Sequence, residues 1–175
     1  ASTGSIVVSP TVNTTFSVVG TLAASGCSNS TIHQVSVNPL PNVSITGNTL
    51  ICQGQAATLT AQNAGSYLWS NGFTSSTAVL SPVATASFSV TGTDAVTGCT
   101  NIALQTVVVS PLPTITVNSG TICAGDTFIF LPTGADTFTF SGGSASVDPQ
   151  VNTTYTITGS SLAGCVTREP AVVTI

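Results

Sequence analysis

The chain repeats itself, and the copy it opens with carries only the later part of the pattern. Ser9-Pro10-Thr11-Val12-Asn13-Thr14-Thr15-Phe16-Ser17-Val18 returns as Ser81-Pro82-Val83-Ala84-Thr85-Ala86-Ser87-Phe88-Ser89-Val90, 72 residues on. It returns again, 67 residues later, as Asp148-Pro149-Gln150-Val151-Asn152-Thr153-Thr154-Tyr155-Thr156-Ile157. Cys27 and Cys99 keep the spacing of 72, as do Asn38-Pro39-Leu40-Pro41 and Ser110-Pro111-Leu112-Pro113. A fixed period of this size means tandem copies of one structural unit, so it constrains the fold before any propensity is consulted. The expected division is 1–41 (the later part of a repeat), 42–113 and 114–175 (complete repeats). Units this small fold alone only marginally and tend to need a staple or neighbours.

Composition narrows the class. Charged residues are 3% of the chain, with Arg168 the sole full cation and no lysine, for a net charge of −4. That excludes a basic nucleic-acid surface. Weak self-repulsion favours association, so a further copy of the chain is an expected partner. Apolar runs are short and broken by Ser, Thr, Gly and Asn, which leaves no transmembrane helix and no expected membrane insertion. Ala1 onward has no basic start and no apolar core, so an export signal is expected to have been removed. Trypsin-like proteases find one bond, after Arg168, which suits a protease-rich setting.

There are five cysteines. Cys52 and Cys99 in the middle repeat stand where Cys123 and Cys165 stand in the last. With Thr/Ser-rich strands around them, two equivalent pairs favour one disulfide in each repeat, Cys52–Cys99 and Cys123–Cys165, and an oxidising location. Buried free thiols are the competing reading. Cys27 corresponds to Cys99, and its partner would stand upstream of residue 1. It is therefore expected to be unpaired, or bonded to another chain.

Asn42–Thr46, Gln55–Ala61, Ser66–Ser70, Thr77–Leu80, Ala86–Gly92 and Ile102–Val109 read as short strands. They are punctuated by Gly47-Asn48, Asn63-Ala64-Gly65, Asn71-Gly72, Ser81-Pro82 and Thr97-Gly98. Nothing has helical period. The expected fold is all-β, a string of antiparallel β-sandwiches with the first one incomplete, joined by stiff Pro-Leu-Pro connectors. In the last repeat Phe138 and Phe140 replace Tyr67 and Trp69, and a four-residue deletion before Asp148 falls in a loop.

Four elements in fixed order carry a resemblance. They are Ile-Cys-x-Gly (Ile51–Gly54, Ile122–Gly125), Tyr-x-Trp-Ser-x-Gly (Tyr67–Gly72), Ser-Pro followed by Phe/Tyr-x-Val, and Gly-Cys (Gly26-Cys27, Gly98-Cys99, Gly164-Cys165). Over essentially the whole chain this resembles the Ig-like, PKD-like repeats of very large Bacteroidota surface proteins. Gliding-motility adhesins and other proteins exported by the type IX route belong to that group. The resemblance implies an extracellular, cell-surface location and a stalk, adhesin or filament architecture. It implies no catalytic residue.

A search for chemistry finds little. His33 is the single histidine, and Gln105 stands in its place one repeat later, so it reads as a surface residue. Serines are abundant, but none has a Gly-x-Ser-x-Gly setting. Asp94, Asp126, Asp136 and Asp148 fall on different strands or turns, with no carboxylate couple and no Asp-x-Asp-x-Asp-Gly calcium run. Neither cofactor nor metal is expected. Trp69 reads first as a core anchor beside a disulfide, and second as an exposed platform for stacking sugars. Asn13, Asn29, Asn42 and Asn152 lie in Asn-x-Ser/Thr sequences, and glycosylation is left open. Thr-rich faces suggest ice binding only weakly, because short sandwich strands do not build a flat Thr ladder.

These readings combine into a non-enzymatic structural protein, part of a surface filament or adhesin stalk. The rivals are a module that binds glycans or a host surface, and spacer domains of a larger secreted enzyme. For residues 1–41 the expectations are a window cut from a longer array, or completion of the fold by another subunit.

Overall fold

The computed structural model describes residues 4–175; residues 1–3 of the first segment lie outside it. The described chain is all-β. Residues 4–41 contribute one hairpin, β1 (Thr14–Thr21) with β2 (Ser28–Val35).

The middle repeat builds two facing sheets from β3 (Ser44–Gly47), β4 (Leu50–Cys52), β5 (Ala57–Gln62), β6 (Ser66–Trp69), β7 (Thr77–Leu80), β8 (Ala86–Thr93) and β9 (Thr100–Ser110). One sheet runs β3-β5-β7 and the other β4-β9-β8-β6. Alternation makes the core, as a strand's period of two requires. Ala57, Leu59 and Ala61 point inward from β5, Ala78 and Leu80 from β7, Val90 from β8 and Val107 from β9. The three alanines leave room for the Trp69 indole, which lies among them and donates its Nε1–H to the Ser75 carbonyl at 2.9 Å. Gly47 turns the chain at φ 138°, where a side chain would strike the Thr58 carbonyl oxygen. Only glycine fits that bend.

The last repeat has β10 (Gly120–Thr121), β11 (Phe128–Ile129), β12 (Thr137–Phe140), β13 (Ser146–Val147), β14 (Thr153–Ser160) and β15 (Val166–Thr174). Its larger sheet runs β10-β15-β14-β12, opposite β11-β13 and a Thr116–Thr133 bridge. Phe130 takes the place of Leu59 and Phe140 that of Trp69. The two rings stack with centroids 6.2 Å apart, and Tyr155 closes on Phe130 at 5.2 Å. Phe128, in the place of Ala57, adds a further ring 5.2 Å from Phe130, so a cluster of aromatic rings fills the space that one indole and small residues fill in the middle repeat. The loss of tryptophan is made good by its neighbours.

Every ladder among the described residues is antiparallel except two: β4 on β9 and β10 on β15. These short parallel strands join the trailing end of each repeat's final strand, Cys52 opposite Ser110 and Thr121 opposite Thr174. A recurring latch fixes the same end. The side-chain oxygens of Asn13, Thr85 and Asn152 accept the N–H groups of Val37, Val109 and Ile175 at 2.6, 3.1 and 2.8 Å.

Candidate functional site at the repeat junction

The parallel edge strand decides where the cysteines go. Cys52 ends β4 beside Ser110, at the trailing end of β9, and the Gln53 N–H donates to the Ser110 carbonyl at 2.9 Å. Cys99 immediately precedes Thr100, the first residue of β9. That strand is 11 residues long, so the two cysteines stand roughly 35 Å apart at opposite ends of the sandwich. A disulfide needs Cα atoms within about 7 Å. The expected Cys52–Cys99 bond is therefore corrected.

Cys123–Cys165 fails for the same reason. The Ile122 N–H donates to the Thr174 carbonyl at the trailing end of β15, whereas Cys165 immediately precedes the first residue, Val166. Nine residues of strand separate them by roughly 30 Å.

What forms instead is Cys52–Cys165, between adjacent repeats, with an S–S distance of 2.04 Å and Cα atoms 5.5 Å apart. The β14–β15 turn thus meets the trailing end of β9, where Cys165 Sγ lies 3.9 Å from the Ser110 carbonyl oxygen. Cys165 is held in the β14–β15 turn, where its N–H donates to Ser161 Oγ at 3.2 Å and its carbonyl accepts the Ser161 N–H at 2.8 Å. Asp136 Oδ2 accepts the Leu162 N–H at 2.8 Å and ties that turn to the neighbouring loop. Beside the bond a shallow cleft of about 370 Å³ is lined by Pro111-Leu112-Pro113, Gly134, Ala135, Asp136 and Ser161. The proline-stiffened connector is thus paired with a covalent tie. Cys27, Cys99 and Cys123 are free, Cys99 and Cys123 against the pairing expected of them.

The remaining candidates lie apart from this junction. Trp69 is 2% exposed, so the stacking platform is corrected to a core anchor. His33 is exposed on β2 opposite Phe16. Asp94 caps the β8–β9 turn, its Oδ1 accepting the N–H groups of Val96 and Thr97 at 3.0 and 2.7 Å and the Thr97 hydroxyl at 2.9 Å. Those bonds, the Thr97 N–H first, hold its carboxyl below the ordinary value of 3.8. Asn13 and Asn152 spend their side-chain oxygens on the strand latches. Among the described residues no three His, Cys, Asp or Glu side chains gather, and no helix is long and apolar enough to cross a membrane.

No family model and no curated protein matches the chain. Among solved structures it is similar to one from a 1.5-MDa bacterial ice-binding adhesin, studied for host cell surface retention. The TM-score is 0.37 and the identity 18%, over 91% of this chain and 73% of that one. It is also similar to a Ca2+-stabilized adhesin with which an Antarctic bacterium reaches out and binds ice, at TM-score 0.41 and 16% identity. That match covers 92% of this chain and 56% of the other, so the chain spans little more than half of the second structure. At TM-scores below 0.5 the likeness assigns no role to any residue here.

Proposed function

We propose that this chain is a structural segment of a tandem-repeat protein on the cell exterior, part of an adhesin stalk or surface filament, without enzymatic activity. Its units are 1–41, 42–113 and 114–175. The observation that carries the reading is the Cys52–Cys165 bond laid across the Pro111-Leu112-Pro113 junction. A tie between neighbours, rather than within one fold, serves reach and stiffness. It also calls for an oxidising compartment. The scarcity of charge and trypsin sites and the resemblance to Bacteroidota surface repeats support the same reading.

Electron microscopy of the native material, untreated and then reduced, tests it. Straight rods or filaments with an axial repeat set by these units, bending at the junctions after reduction, are the expected result. Compact particles with no repeat, unchanged by reductant, would sink it.

A binding module is the second reading, favoured by the outer face of the β4-β9-β8-β6 sheet. Leu68, Ile102 and Leu104 stand exposed there, with Leu68 and Ile102 in one cross-strand row through Thr91. Exposed apolar faces mark contact surfaces more often than chance. Loss of surface binding by Leu104→Asp, with rod geometry unchanged, would move this reading to first place.

A further inference from the structure

The five cysteines fall into two local geometries. Cys52 ends the edge strand β4, and Cys123 follows the edge strand β10 by two residues. The Cys52 carbonyl accepts the Gln55 N–H at 2.9 Å, and the Cys123 carbonyl accepts the Asp126 N–H at 3.0 Å. Cys27, Cys99 and Cys165 each follow a glycine of positive φ (71°, 71° and 80°) in the turn between the last two strands. Their carbonyls accept the N–H groups of Leu22, Asp94 and Ser161 at 2.8, 2.9 and 2.8 Å. One edge-strand cysteine is bonded to one turn cysteine, and the other three are free. Each free thiol therefore sits in the local geometry of a member of the bonded pair.

We propose that Cys52–Cys165 is one rung of a series, and that Cys123, Cys99 and Cys27 are open halves of further rungs, each made with the complementary cysteine of another copy of this repeat. The pairing is directional. Edge-strand cysteines mark the trailing end of a repeat and turn cysteines the leading end, so in a string running one way only unlike types meet. Cys123 takes a turn cysteine of the copy that follows it; Cys99 and Cys27 take an edge-strand cysteine of the copy before. The rungs also interleave, because the bond spans 113 residues while the edge-strand cysteines recur after 71, from Cys52 to Cys123. Each new rung would close a loop that overlaps the previous one.

Forming a rung oxidises two thiols, and the acceptor is a disulfide-bearing oxidant. One thiolate attacks the oxidant's sulfur, giving a mixed disulfide and releasing one reduced thiol. The second cysteine's thiolate then displaces the other reduced thiol, so two electrons and two protons leave with the oxidant. Junction geometry alone sets this pairing, in a stalk and a filament alike.

The test is to incubate the 175-residue chain with glutathione disulfide, alkylate residual thiols, and map linked peptides by mass spectrometry. Pepsin is the protease of choice, since Arg168 offers trypsin a single site. The expected product is a ladder of covalent multimers in which Cys123 is joined to Cys27 or Cys99 of a second molecule. Cys123→Ser, and the double variant Cys27→Ser with Cys99→Ser, should each lose that cross-link while retaining the Cys52–Cys165 peptide, which reports an intact junction. Predominant Cys123–Cys123 or Cys27–Cys99 products, an indiscriminate mixture, or monomer with alkylatable thiols would overturn the proposal.

Discussion

The same hairpin is built three times, and only two copies are covered. β1–β2 and β8–β9 share register residue for residue, from Thr14 opposite Val35 and Ala86 opposite Val107 onward. Yet Val18 is 59% exposed among the described residues, whereas its counterpart Val90 is fully buried. Gly20 and Gly92 make the contrast sharper. A methyl group on Gly92 would come within 2.6 Å of Val43, just before β3, and 2.8 Å of Ala64, in the β5–β6 turn, and one on Gly20 would meet nothing within 4 Å. Hydrogen bonds and turn chemistry thus specify the hairpin locally, while burial comes from the opposing sheet. An isolated two-stranded hairpin is marginal in water, so that second layer supplies most of the stability.

The largest way to break the contrast is to remove the layer's anchor. Trp69→Ala should cost about 3–5 kcal/mol, seen as a lowered denaturant midpoint, and should raise amide exchange in β8–β9 toward that of β1–β2. Next, Gly92→Ala should cost about 1–3 kcal/mol by overpacking. Gly20→Ala should instead stabilise its strand by about 0.5 kcal/mol, by reducing unfolded-state freedom. That sign is itself a probe, because any assembly that covers β1–β2 should make Gly20→Ala costly as well.

A smaller effect separates the two covered hairpins. Asn101 donates to the Pro41 carbonyl at 3.0 Å, but Thr167, in its place, has a buried hydroxyl with no partner. Thr167→Val should therefore raise stability by about 1 kcal/mol, read from the denaturant midpoint. The smallest effect lies in the turns. Asp94 is replaced by Leu22 and Ser161 in the other two hairpins. Its carboxyl is held below 3.8 in the fold, so its contribution is present above that pH and is lost as pH falls through the lowered folded value. Acid should lower the protection of the Val96 and Thr97 amides relative to their intrinsic exchange rates, with no matching change in the first and last turns.

The strands with clear alternation were legible in the sequence: those expected at Gln55–Ala61, Thr77–Leu80 and Ala86–Gly92 lie within one or two residues of β5, β7 and β8. So was the all-β class, from the repeat and its turns. β4 was not, because Leu50–Cys52 is three residues long and carries no period of two. That omission decided the cysteines. Without β4, nothing in the spacing places Cys52 at the trailing end of β9, and equivalence between repeats suggests a bond inside each one. Equivalence holds equally well for a bond between neighbours, and only strand order separates the two. Trp69 was legible as a core residue from a large aromatic's place on a mid-sandwich strand, but the disulfide expected beside it is absent, and small residues such as Ala57 and Ala78 share its cluster instead.

The junction bond also sets how far the chain can be drawn out. Tension applied between the two termini enters at the first segment, reaches Cys52, and crosses directly to Cys165 over Cα atoms 5.5 Å apart. The 113-residue separation bridged by that bond is roughly 390 Å of extended chain, at about 3.45 Å per residue, that a pulling force does not release while the sulfurs stay joined. Strands β5 to β14 lie inside that loop and are spared the pull, whereas β3, β4 and β15 lie outside it, so a stretched molecule would yield first where those strands leave their sheets.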